Sequence, residues 1–112
     1  MTNYINLTRH AREERITRLS TIVAEVGLGQ YILEECYVHN GRECVARVTN
    51  TGLFLAFSVK ENKEVLITGF LLSIDRAMAI YRHSGYHHIP NGLYNTIRKN
   101  TKKYKHLLHC YE

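Results

Sequence analysis

The sequence predicts an α+β fold: an N-terminal helix, a four-stranded antiparallel meander and two C-terminal helices. Three observations predict it. Ile16, Leu19, Val23 and Val26 recur at three- and four-residue intervals, the period of one helix face. Four β-rich runs then follow, joined by His39-Asn40-Gly41, Asn50-Thr51-Gly52 and Glu61-Asn62-Lys63, separators short enough only for hairpins. Helical spacing returns after Ser73.

In order, Tyr4, Ile5 and Leu7 suit a short first strand, and Thr8 an N-cap for a helix from Arg9. Glu13 and Glu14 suit its first turns. Gly27 and Gly29 stop it, and Ser20 marks a place where it kinks and restarts. At 100° per residue, Arg12 and Arg15 extend the apolar stripe, whereas His10 lies off that face. The strands are Tyr31–Val38, Arg42–Thr49, Leu53–Lys60 and Glu64–Phe70. Alternation in the second sets Cys44, Ala46 and Val48 on one face and Glu43, Val45, Arg47 and Thr49 on the other. Glu64–Phe70 reads as a central strand buried on both faces, a firm support for Thr68 near its end. Ser73 caps a helix over Ile74–Arg82 with Ala77, Met78, Ile80 and Tyr81 inward. Asn91 caps a last helix with Leu93 or Tyr94, Ile97, Tyr104 and Leu108 on one side and lysines on the other.

A length of 112 residues makes one domain, 1–112, with the helix and meander in 1–70 and a helical segment in 71–112. No apolar run approaches the ~18 residues of a membrane span. The polar, charged stretch Met1–Arg15 does not read as a secretory leader, so a cytoplasmic protein is expected. Cys36, Cys44 and Cys110 form an odd set without C-x-x-C spacing, which suits structural thiols in a reducing compartment. The net charge is +5 with neutral histidines, gathered at Arg9, Arg12, Arg15 and Arg18 and again at Arg98, Lys99, Lys102, Lys103 and Lys105. Two basic clusters flanking a neutral middle predict a polyanionic partner, RNA or DNA first and an acidic protein second.

The order of elements, with His10-Ala11, Arg15-Ile16 and Arg18-Leu19-Ser20 ahead of a meander that ends in Ile67-Thr68-Gly69-Phe70, resembles the barnase, EndoU, colicin and RelE group of ribonucleases. The likeness covers about Leu7 to Phe70 and includes a RelE-like messenger RNA nuclease around Leu53–Val59. It implies a RelE- or barnase-like architecture and a metal-independent endoribonuclease. Such a protein is toxin-like or phage-encoded, acts on tRNA or mRNA by attack of the 2′-hydroxyl, needs no cofactor and pairs with an acidic antitoxin or immunity protein. That chemistry needs an acid or base, cations at the phosphorane and positioned hydroxyls. His10 suits the first role; Arg15 and Arg47, with Arg12 beside them, suit the second; Thr68 suits the third. Arg12, Arg18, Arg82, Arg98, Lys102, Lys103 and Lys105 are the expected nucleic-acid contacts.

Each assignment has a plainer counterpart. Thr68 is equally served by a strand carbonyl, the helix arginines by Glu13 and Glu14, and Arg47 by its strand surroundings. His83, His87 and His88, or His106, His109 and Cys110, lack any standard zinc spacing, so no metal is expected. Tyr81, Tyr86, Tyr94 and Tyr104 interleave with Arg82, Arg98, Lys102 and Lys105, a pattern open to base stacking, with half of the tyrosines expected in the core. Two functional alternatives stand beside the nuclease. One is a non-catalytic basic module that binds nucleic acid or a host protein; the other is a homodimer paired along a sheet edge.

Overall fold

The computed structural model describes residues 9–105, with the side chains of residues 9–12, 14 and 15 outside that description. The elements are α1 (Arg9–Val26), β1 (Tyr31–His39), β2 (Arg42–Thr49), β3 (Leu53–Lys60), β4 (Lys63–Leu71), α2 (Ile74–His83) and α3 (Asn91–Lys103). The predicted class and element order hold. The expected strand at Tyr4–Leu7, the cap at Thr8 and the inward Leu108 lie outside the described residues.

α1 is one unbroken helix through Ser20. Thr17 and Thr21 satisfy their hydroxyls on carbonyls one turn back, at 2.8 and 3.1 Å, so no break is needed. Gly27 ends the helix at φ 81°, and its N–H donates to the Val23 carbonyl, a left-handed stop that suits glycine. Ser73 caps α2 by accepting from the Arg76 N–H at 3.2 Å. α3 differs from expectation: Pro90, extended at φ −58° and ψ 142°, is the last non-helical residue, and Asn91 is already helical. A proline offers no side-chain acceptor, so this helix start carries no side-chain cap.

The strands pair antiparallel in the order β1-β2-β3-β4. Asn40 and Gly41, and Glu61 and Asn62, take positive φ in two of the turns, the geometry that twists a two-residue hairpin correctly. Register aligns Leu33, Val48, Phe54 and Phe70 as one apolar rung across the sheet. Both outer strands carry a bulge. Pairing jumps from Tyr31 to Leu33 in β1, and from Thr68 to Leu66 in β4, so Ile32 and Ile67 are the extra residues.

The sheet is covered on both sides. On one side Phe70, Leu72 and Val48 pack with Ala77 and Tyr81 of α2 and Leu93 and Ile97 of α3. On the other, Ile22 of α1 packs on Leu53 and Leu71, with Val23 and Val26 against it. A Cβ at Gly69 would lie 2.9 Å from Leu19, so glycine lets α1 close onto β4. That close approach turns Ile22 into the sheet and leaves Ile16 55% exposed, a rotation from the stripe the spacing predicted. β4 is an edge strand rather than the central strand expected, because a meander of consecutive hairpins places its last strand outermost. Its apolar run reflects two covers at its C-terminal end: Glu64 and Val65 are exposed, Leu66 to Thr68 half-buried, and Gly69 onward buried.

These parts meet at Asn50-Thr51-Gly52. The Asn50 carboxamide oxygen accepts from the Gln30 N–H at 2.9 Å. The Thr51 hydroxyl donates to the Gly27 carbonyl at 2.8 Å and lies 2.8 Å from the Thr49 hydroxyl, which accepts from the Leu53 N–H. Buried Asn100 of α3 donates to the Thr51 carbonyl at 2.9 Å, and the Leu72 N–H donates to the Gly52 carbonyl. Gly52 sits at φ 91°, where a Cβ would meet the Asn100 amide nitrogen at 2.7 Å. Gly52→Ala is expected to destabilise by roughly 1–3 kcal/mol from left-handed strain and the displaced amide. Asn100→Ala should cost about 1–2 kcal/mol by orphaning its partner. Urea titration of both single variants and the double variant checks this: the double variant should lose less than the sum, since both changes break one contact.

Candidate nucleic-acid interface

Arg47 is the best-held charge among the described residues. Its Nε donates to Glu34 Oε2 at 2.6 Å, and Nη1 and Nη2 donate to the two Glu64 oxygens at 2.5 and 2.6 Å. The guanidinium also lies 4.9 Å from the Tyr31 ring centroid and 5.2 Å from that of Phe57. Its side chain is 11% exposed. The hydrogen bonds that Arg47 donates to Glu64 and then to Glu34 raise its pKa, and they hold the Glu64 carboxyl below its ordinary range. A fork engaged by two carboxylates does not offer itself to a phosphate. Arg47 thus ties three strands together through Glu34 and Glu64.

Thr68 does not join it. Register places Arg47 with Leu55 and Gly69 on the α1 face, and Thr68 with Ala56 and Ala46 on the opposite face. Alternation sends neighbouring strand positions to opposite sides. α1, which carries His10 and Arg15, packs on the face away from Thr68. The side chains of His10, Arg12 and Arg15 lie outside the described residues. Arg18 is exposed on α1 and Arg82 on the last turn of α2. Among the described residues no three metal-binding side chains converge; His106, His109 and Cys110 lie outside them. Cys36 is exposed, and Cys44 is buried.

What the structure does assemble is on α3. Leu93, Ile97 and Asn100 turn inward at helical spacing, which leaves Tyr94, Arg98, Lys99, Lys102 and Lys103 outward. Lys105 follows, also exposed. Asn95, Arg98, Lys99 and Lys102 line a shallow cleft of about 280 Å³. The Arg98 guanidinium lies 5.9 Å from the Tyr94 ring centroid, within cation–π reach. No acidic residue occurs between Asp75 and Glu112, so nothing on this helix neutralises the row. Tyr86 and Tyr94 are exposed, while Tyr81 is buried and Tyr104 half-buried.

A second cleft, of about 300 Å³, opens where α2 meets the start of α3, beside Tyr81, His87, His88, Asn91 and Tyr94. The Tyr81 hydroxyl is buried and has no hydrogen-bond partner. Burial pushes its phenol up, with Tyr86 adding. Sequence spacing missed this place; the signal for it was a proline ahead of a helix with no acid in its first turn.

No protein-family model matches the chain, and neither a curated protein nor a solved structure matches it. No helix among the described residues is long and apolar enough to cross a membrane.

The Glu64 ion pair contributes stability that is full above the ordinary carboxylate range and lost as pH falls through its lowered folded pKa. Glu64→Gln should therefore lower Tm at neutral pH, with the gap to the unsubstituted protein closing as pH falls below the ordinary carboxylate range. Thermal melts across that range check it; a gap that stayed constant would mean the loss is not ionic.

Proposed function

We propose that this protein is a nucleic-acid-binding module whose contact surface is the outer face of α3. The observation that carries the reading is the acid-free row of Arg98, Lys99 and Lys102 beside exposed Tyr94. Cations in a row along a rigid helix suit a phosphodiester backbone, and an aromatic ring backed by a guanidinium suits an unpaired base. Single-stranded RNA fits both features. Lys103 and Lys105 extend the charge past the end of the cleft, and the helix needs no rearrangement to present it.

The binding reading is favoured over endoribonuclease chemistry because Arg47 and Thr68, two of the expected catalytic side chains, stand on opposite faces of the sheet. Arg47 is engaged by Glu34 and Glu64, and Thr68 faces the other side of the sheet. Neither fact touches α3, so the basic surface stands whatever His10 and Arg15 do.

Anisotropy titration of a labelled single-stranded oligoribonucleotide tests the reading. Affinity should fall steeply with salt, and Arg98→Ala or Lys102→Ala should each weaken binding and reduce the salt slope by about one. Binding that is indifferent to both substitutions would sink the α3 interface. RNA incubated in excess chelator should be recovered intact; cleavage abolished by His10→Ala would restore the nuclease reading.

A further inference from the structure

A groove of about 510 Å³ lies between α2 and the sheet, and it shares no residue with the α3 cleft. Its walls are apolar. Phe54 and Phe70, from neighbouring strands, stack with ring centroids 4.9 Å apart and an interplanar angle of 24°. Ile80 lines the helix side, and the short side chains of Ala46 and Ala79 leave the space between helix and sheet open. A concavity of this size, apolar with a few polar groups at its margin, has the form of a small-molecule site.

The charged groups stand at the two ends of the groove and are opposite in sign. At one end is Arg76 in the first turn of α2, its guanidinium 4.7 Å from the Phe70 ring centroid. Among the described residues no carboxylate pairs with that guanidinium, the adjacent Asp75 included. At the other end is Glu35, half-buried on β1, which accepts from the Ser84 hydroxyl at 3.2 Å. Roughly 12 Å of helix rise separates Arg76 from Ser84.

A guanidinium held over a ring and left without an acid keeps its directed donors for a planar anion. One such cation suits one negative charge, and the Glu35 carboxylate repels a second at the far end. A dianion such as a phosphate monoester is therefore a poorer fit than a carboxylate. The paired rings of Phe54 and Phe70 suit a flat apolar body, which gains offset or edge contacts with them.

We infer that this groove binds an aromatic carboxylate, a small molecule whose carboxylate is held by Arg76 and whose ring lies along Phe54 between Ala46 and Ala79. The direction of the ligand follows from the charges: its anionic head stands at the first turn of α2 and its apolar end toward Ser84.

Isothermal titration calorimetry at neutral pH with phenylbutyrate, phenylbutanol and phenylbutylamine, which share one apolar body, tests the inference. Phenylbutyrate should bind about tenfold more tightly than phenylbutanol, the weight of a hydrogen bond to a charged group. Arg76→Gln should remove that difference, and because Arg76 is exposed and pairs with no acid, Tm should hold. Ala79→Leu sets a larger side chain at an exposed helical position lining the groove, where leucine suits the helix; it should weaken binding of phenylbutyrate and phenylbutanol alike. Should Ala79→Leu fold poorly, Arg76→Gln decides. Equal affinity for the carboxylate and the alcohol, or tightest binding of the amine, overturns the site. So does a carboxylate preference that survives Arg76→Gln, binding indifferent to a folded Ala79→Leu, or absence of binding by all three compounds.

Discussion

Everything in this fold is anchored to the turn between the second and third strands. Asn50, Thr51 and Gly52 collect the end of α1, the approach to β1, the exit of β4 and the last turn of α3 within one short segment. The reason is backbone satisfaction. Carbonyls and N–H groups at element ends must find partners, and here three ends find theirs on one loop, joined by a side-chain amide from α3. The position of α3, and with it the direction of the basic row, follows from the Asn100 carboxamide reaching the Thr51 carbonyl.

That anchoring separates two kinds of charge. Arg47 is drawn into the sheet and neutralised by acids on the strands to either side of β2 and β3, whereas the α3 cations face outward with no acid on their own helix. A guanidinium held by two carboxylates between aromatic rings fixes structure, while exposed lysines and arginines in a row are free to exchange counterions for phosphates. The distribution of acids therefore distinguishes them better than the arginines themselves do.

The sequence made the fold legible where physics is local. Asn-Gly after His39 and the paired polar positions at Glu61-Asn62 specified hairpins, Ser73 specified a helix start, and Gly27 a helix end. The central placement given to Glu64–Phe70 failed because burial on two faces does not imply pairing on two edges: an outermost strand covered by helices on both sides carries the same apolar run. The ion pairs of Arg47 were not legible because its partners, Glu34 and Glu64, lie on strands whose register no single segment encodes. The α3 row was readable from spacing alone, since a helix sorts its own faces. The unpaired Tyr81 hydroxyl was not, because it depends on what other elements omit to supply.

The bulges at Ile32 and Ile67 bear on how the chain reaches one pairing rather than its neighbours. Each adds one residue to an outer strand and so reverses which side the remainder faces. Beyond Ile67 the reversal brings Glu64 to the α1 side, and before Leu33 it brings Tyr31 there, the side on which Arg47 stands. Without the Ile67 offset Glu64 would point away and the guanidinium would keep Glu34 as its acceptor; without the Ile32 offset it would lose the Tyr31 ring. The ion triad is thus tied to strand alignment: both carboxylates face the guanidinium only when the extra residue in β4 stands at Ile67.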